Sequence, residues 1–181
     1  MAKNIVTTKT GDDGSTGRAD GSRTSKSSLQ MEAIGAIDEL NCFIGDVTNQ
    51  TNSISILNLL YIIQDDLFVI GAKLSQDEPN IFGIPKTFSK KYINQLDRNI
   101  IYYNQLLPPL KKFILPRGSV LSVKLHIARA VARRSERTIH GFREYLGKPS
   151  DNICVYLNRL SDLLFILARY TNKNDEVIWK H

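Results

Sequence analysis

The stretch VYLNRLSDLLFILAR, Val155 to Arg169, is apolar around most of a helical circumference. Such a helix must be covered on nearly every side, so it is predicted to be central in a bundle or to lie at a subunit interface. The rest of the chain supplies its neighbours. From Leu29 to Val47, the residues Met31, Ile34, Ile37, Leu40, Ile44 and Val47 step by three and four. Ser27, with Gln30 three positions on, offers a capping box for that helix. A second helix spans roughly Ser53 to Leu74. Ser75–Lys86 holds two prolines and a glycine and reads as a connection. Thr87 or Ser89 caps a third helix that ends before Pro108-Pro109. A fourth runs from about Ser119 to Leu146 and closes at Gly147-Lys148-Pro149. Ser150 is predicted to cap the fifth, from about Asp151 to Thr171. No strand pattern longer than a few residues appears. The prediction is an all-α, five-helix antiparallel bundle forming one domain over residues 1–181. Residues 1–27 form a glycine-rich loop segment, 28–172 the bundle and 173–181 a tail.

Composition narrows the partners. The 181 residues carry a net charge of +6 and 42% hydrophobic side chains, which excludes a disordered chain. A basic balance fits an anionic ligand. No aromatic-plus-basic strand pattern is present, so a nucleotide is favoured over nucleic acid. Cys42 and Cys154 lack metal-ligand spacing and read as buried free thiols in a reducing compartment. No run of 18 apolar residues argues for a membrane span. The N-terminal motif begins by Thr8, leaving no room for a targeting peptide, so a cytoplasmic protein is expected.

Two segments point to phosphate. Arg129, Arg133, Glu136 and Arg137 fall on one face of the fourth helix, with Arg134 beside them. Stacked cations repel, so a polyanion or acidic neighbours must neutralise them; a solvated face or a salt-bridge network between subunits fits the same pattern. Ala128, Ala130 and Ala132 leave space beside that helix, and the guanidinium fork suits phosphate oxygens. Thr8-Lys9-Thr10-Gly11-Asp12-Asp13-Gly14-Ser15-Thr16-Gly17 can wrap amides, hydroxyls and an ammonium around an anion. It is neither a Walker loop nor an EF-hand. Taken alone, such a segment is more often a tail than a site, and Lys26 alone reads as a surface residue. Asp38 and Asn41 interrupt the first apolar stripe, and Asn158, Ser161 and Asp162 the last. A buried Asp38 demands a cation, and the nearest plausible ones lie on the arginine helix, as a structural pair at least. His126 and His140 read as packing or surface residues, and no metal site is predicted.

Read in order, six segments resemble the PduO-type ATP:cob(I)alamin adenosyltransferases. They are T-K-T-G-D-x-G at Thr8–Gly14, G-x-R-x-x-K at Gly21–Lys26, G-x-x-D-E-L-N at Gly35–Asn41, F-I-L-P at Phe113–Pro116, A-R-A-V-x-R-R-x-E-R at Ala128–Arg137 and Y-L-N-R-L-S-D at Tyr156–Asp162. The resemblance implies a homotrimer with sites between subunits, and transfer of the 5′-deoxyadenosyl group of ATP to cob(I)alamin with release of triphosphate. A non-catalytic nucleotide or corrinoid carrier or sensor is the alternative on the same bundle. Carried over by position, ATP is held by Thr8, Lys9, Thr10, Gly11, Thr16, Lys26, Arg133, Arg134, Glu136, Arg137 and Asn158. Phe113 matches an aromatic that displaces the lower cobalt ligand, and Asp38 with Arg129 matches a subunit-interface ion pair beside the corrin. Arg133, Phe113, Asp38 and Arg129 are the expected catalytic group. Magnesium accompanies ATP, an electron-donating reductase is the expected partner, and neither nucleic acid nor membrane is. The chain departs from the family at Leu115-Pro116-Arg117-Gly118-Ser119, where L-P-G-G-S is usual, and at Gly17-Arg18-Ala19.

Overall fold

Side-chain caps set the start of four of the five helices seen in a computed structural model, which describes residues 7, 9–18, 21–75, 88–147, 151–172 and 175–180. Helix α1 covers Leu29–Thr48, α2 Ile54–Leu74, α3 Lys90–Gln105, α4 Val120–Tyr145 and α5 Asn152–Tyr170. Ser28 accepts from the Met31 amide, Ser89 from Lys91, Ser119 from Ser122 and Asp151 from Ile153. Two expected caps are therefore corrected. Ser28 rather than Ser27 starts α1, one residue later than the capping box implied. Asp151 caps α5, while Ser150 and Thr87 lie outside the described residues. Gly147, at φ 63°, ends α4 as expected.

The helices pack in the order α2, α1, α4, α5, α3. The short α1–α2 and α4–α5 connections make those neighbours antiparallel, and the five-helix bundle is borne out. Helix α5 is central: it packs against α4 and α3, and Leu157, Leu160, Leu163, Leu164 and Leu167 are fully buried. By length and composition α2 meets what a bilayer span needs, yet its Ile56, Leu60, Ile63, Leu67 and Ile70 are core residues of this bundle.

Small residues let α4 approach α1. Ala33, Ala128 and Ala132 are fully buried, and Ser135 Oγ donates to the Ala36 carbonyl at 2.8 Å. The expectation that these alanines leave ligand space is corrected. Ala128 and Ala132 are consumed by helix packing, and only Ala130 faces outward. Cys154 is buried as expected, whereas Cys42 is exposed; the two form no disulfide.

The leading segment is more ordered than a plain loop. Strands β1 (Ser15–Gly17) and β2 (Arg23–Ser25) form an antiparallel hairpin, pairing Thr16 with Thr24. Arg18 closes its turn by donating to Ser22 Oγ at 2.7 Å and ties it to α1 through Gln30 Oε1 at 2.9 Å. Three-residue strands carry too little alternation to be seen in sequence. The departure at Arg18 is thus a structural tether.

Candidate active site

The arginine face, the glycine-rich hairpin and the Phe113 segment line three separate pockets of the chain. Each is lined by some of the residues singled out from the sequence.

The first pocket encloses about 580 Å³ and lies beside α1 and α2. Thr16, Lys26, Asp38 and Asn41 supply its polar atoms, and Met31, Ile34 and Phe68 much of its apolar wall. The hairpin above it is built by Arg23, which donates to Ser15 Oγ and to the Thr10 carbonyl. Asp13 accepts from the Ser15 hydroxyl at 2.6 Å and its amide at 2.9 Å, and these bonds, aided by the Arg23 charge, hold its carboxyl below the usual range. Lys26 Nζ donates to the Gly11 carbonyl at 2.7 Å. A side chain at Gly11 would meet the Ser15 carbonyl at 2.9 Å and Lys26 Nζ at 3.2 Å, so the glycine is required by close approach. Lys9 adopts φ 58°, a left-handed conformation uncommon for a non-glycine residue. Thr8 lies outside the described residues. The G-x-R-x-x-K motif contained Arg23, yet sequence reasoning missed its role, because its partners lie 8 and 13 positions away.

Asp38 corrects an expectation. It is exposed rather than buried, because it stands on the flank of the α1 stripe that opens into this pocket. No ion pair joins it to Arg129 within one chain; the α1–α4 ion pairs are instead Glu39 with Arg134 and Asp46 with Lys124.

The second pocket, about 470 Å³, is lined by Arg133, Glu136, Arg137, His140, Gly141, Glu144 and Asn158. Asn158 Nδ2 donates to Glu136 Oε1 at 3.2 Å, bringing α5 to the arginine face. Arg137 donates back to the Arg133 carbonyl, while the exposed Arg133 has no acidic partner among the described residues. Arg129, one turn earlier, is half-buried. Burial first, then the Arg133 charge, push its pKa down, and its Nε is buried without a hydrogen-bond partner. His126 packs near Phe165, and burial lowers its pKa. His140 is exposed.

The third pocket contains Phe113, whose side chain is 77% exposed. Its backbone is fixed from the C-terminal tail. Ile114 bridges Ile178, Leu115 N–H donates to Val177 O and Trp179 N–H to Phe113 O, each at 2.8 Å. The Trp179 ring sits edge-on at 6.3 Å. Arg169, almost fully buried, anchors the tail through Glu176 Oε1 at 2.7 Å and holds the Pro108 carbonyl at 3.0 Å. Asn172 joins the Ser119 amide to the Arg117 and Asp175 carbonyls. Gly118, at φ 118°, lies against Asn172, whose amide a side chain would strike. Of the two glycines usual in L-P-G-G-S, the structure requires the second. Arg117 occupies the permissive position.

The bundle presents an exposed cationic helix face, a glycine-rich hairpin with Lys26 at its base and an uncovered aromatic, a set that suits a nucleotide and an apolar co-ligand. Comparison with known proteins makes this specific. The sequence profile of the cobalamin adenosyltransferases matches residues 6–171, and the chain belongs to that family. It is 41% identical to a cobalamin adenosyltransferase of Cupriavidus metallidurans, over 97% of this chain and 94% of that protein. It is 42% identical to the corrinoid adenosyltransferase of Mycobacterium leprae, over 97% and 95%. A variant of the PduO-type ATP:corrinoid adenosyltransferase from Lactobacillus reuteri, complexed with cobalamin and ATP, superposes with a TM-score of 0.85 at 30% identity, covering 98% of this chain and all of that one.

Proposed function

We propose that this chain is an ATP:corrinoid adenosyltransferase whose active site is completed between subunits of a homotrimer. Family membership and relatives complexed with ATP and cobalamin support the reaction. One observation carries the intersubunit reading: the hairpin with Lys26 and the arginine face line different pockets with no residue in common. A triphosphate gripped by both needs the hairpin of one subunit against α4 of the next. The unpaired Arg129 and the exposed Asp38 would meet across the same seam.

The cobalt of cob(I)alamin carries the nucleophilic electron pair. It attacks the ribose 5′ carbon, that pair becomes the cobalt–carbon bond, the C5′–oxygen bond breaks, and triphosphate departs with the electron pair of the broken bond. No general base is required. The protein aligns cobalt with C5′, an effect that reaches roughly 7–11 kcal/mol in well-oriented systems. Arg133 and Arg137 with Lys26 stabilise charge growing on the leaving group, while Lys9, Thr10, Gly11 and Thr16 (with Thr8) hold the phosphates. Arg134, Glu136 and Asn158 line the remainder of the nucleotide site. Magnesium arrives with ATP. Phe113 presents an apolar face to the lower side of the corrin, excluding water and the axial base and making cobalt(II) easier to reduce. An electron-donating reductase and a cytoplasmic, soluble setting complete the reading.

The test mixes two inactive variants, Lys26→Ala and Arg133→Ala, after dissociation and reassembly, with reduced cobalamin and ATP. Random trimers regain intact seams at about a quarter of their interfaces, so about that fraction of wild-type alkylcobalt absorption should return. No recovery in reassembled mixtures places both residues in one protomer's site and ends the intersubunit reading.

A further inference from the structure

Three ammonium groups surround the Phe113–Trp179 pocket, which encloses about 640 Å³ and is lined by Lys111, Lys112, Phe113, Trp179 and Lys180. Lys111 and Lys112 immediately precede Phe113, and Lys180 follows Trp179. The Ile114–Ile178 bridge and the Trp179–Phe113 hydrogen bond bring these two pieces of chain side by side, so cations separated by some 70 positions share one rim. None of the three takes part in an ion pair among the described residues. The tail carboxylate of Glu176 is already engaged by Arg169. The rim is also distinct from the arginine pocket, so the triphosphate does not account for it. An apolar floor with a cationic edge fits an apolar ligand bearing one anionic appendage.

We infer that Lys111, Lys112 and Lys180 bind the phosphodiester of the corrinoid's nucleotide tail and so favour complete corrinoids over tailless ones. The inference rests on Phe113 facing the lower side of the corrin. The tail hangs from that side, and when the aromatic takes the place of its base, the displaced tail must leave past the rim. The ring's amide arms are neutral, which makes the phosphodiester the permanent anion that these ammoniums can meet.

The sequence has a single tryptophan, Trp179, so its fluorescence reports on this pocket. With ATP present, quenching is titrated with cob(II)alamin and with cob(II)inamide, which keeps the ring but lacks the phosphodiester. In the Lys111→Ala/Lys112→Ala/Lys180→Ala variant, loss of three exposed charge contacts weakens cobalamin binding by roughly five- to tenfold. Cobinamide binding and the KM for ATP stay within about twofold, and the melting temperature is unchanged. Added salt weakens cobalamin binding to the wild type far more than cobinamide binding. Equal weakening for both corrinoids, or none for either, overturns the inference. So does a variant with unchanged corrinoid affinities that loses only electron delivery from a reductase, since the rim would then be a protein-docking surface. Binding is read without turnover, so a preference for the tailed corrinoid stands or falls apart from adenosyl transfer itself.

Discussion

Helices α4 and α5 lie against each other and treat polar groups in opposite ways. On α5 the polar atoms are satisfied inside the fold: Tyr156 OH donates to Asp66, Ser161 Oγ to the Asn158 carbonyl, and Arg169 to Glu176. The inner face of α4 behaves likewise, with Ser122 Oγ bonded to the Ala168 carbonyl and Ser135 Oγ to that of Ala36. Its outer face leaves Arg133 without an acidic partner and the Arg129 Nε without any. Desolvating or crowding cations without partners is unfavourable, so stability alone would not place them there. The difference separates residues that hold the bundle from residues that the proposed function assigns to a ligand.

The comparison is sharpened first by Leu160→Ala. Leu160 is fully buried in α5, and truncation in such a core costs roughly 3–5 kcal/mol. Denaturant unfolding should show that loss, with ATP affinity unchanged under conditions where the variant remains folded. Arg133→Ala should do the reverse. Removing one fixed donor to developing charge typically slows catalysis about 10²- to 10³-fold, near 3–4 kcal/mol, whereas an exposed arginine contributes little to folding. Single-turnover formation of adenosylcobalamin measures the first effect and thermal melting the second. If Arg133→Ala melts like Leu160→Ala, or turns over like the wild type, the division between the two helices fails.

The bundle was legible because apolar steps of three and four persist for many turns in α1, α2 and α5 and average over local errors. Single polar contacts were not. Ser27 and Ser28 are equally good caps by type, and backbone geometry decides for Ser28. Asp38 sits one position from the buried Ile37, and a 100° rotation takes it from core to pocket. The division of the motif residues among three pockets was not readable, since spacing along a chain does not say which segments come to lie side by side. Trp179 and Lys180 escaped notice because the bridge from Ile178 to Ile114 joins the C-terminal tail to the α3–α4 connection without any periodic signal.

The smallest expected effect tests the α5 half of the comparison at its least comfortable contact. Asp66 is 5% exposed and accepts from Tyr156 OH at 2.9 Å. Burial pushes its carboxyl up to about 6, and the neighbouring Asp65 charge adds to this, while the Tyr156 hydrogen bond and Lys91 oppose it. The folded pKa therefore exceeds the ordinary 3.8, and the folded state binds the proton more tightly than the unfolded chain. That contribution is fully present below about 3.8 and is lost as pH rises through about 6. A shift of this size corresponds to no more than roughly 3 kcal/mol. Asp66→Asn keeps an acceptor for Tyr156 but carries no charge to bury. It should be more stable than the wild type at pH 7.5, and the gap should close as pH falls toward 4. Unfolding free energies of both proteins across that range measure it. Parallel profiles would mean that the carboxylate is solvated in the fold, and the α2–α5 contact would then hold a charge left open to its surroundings, as the outer face of α4 does.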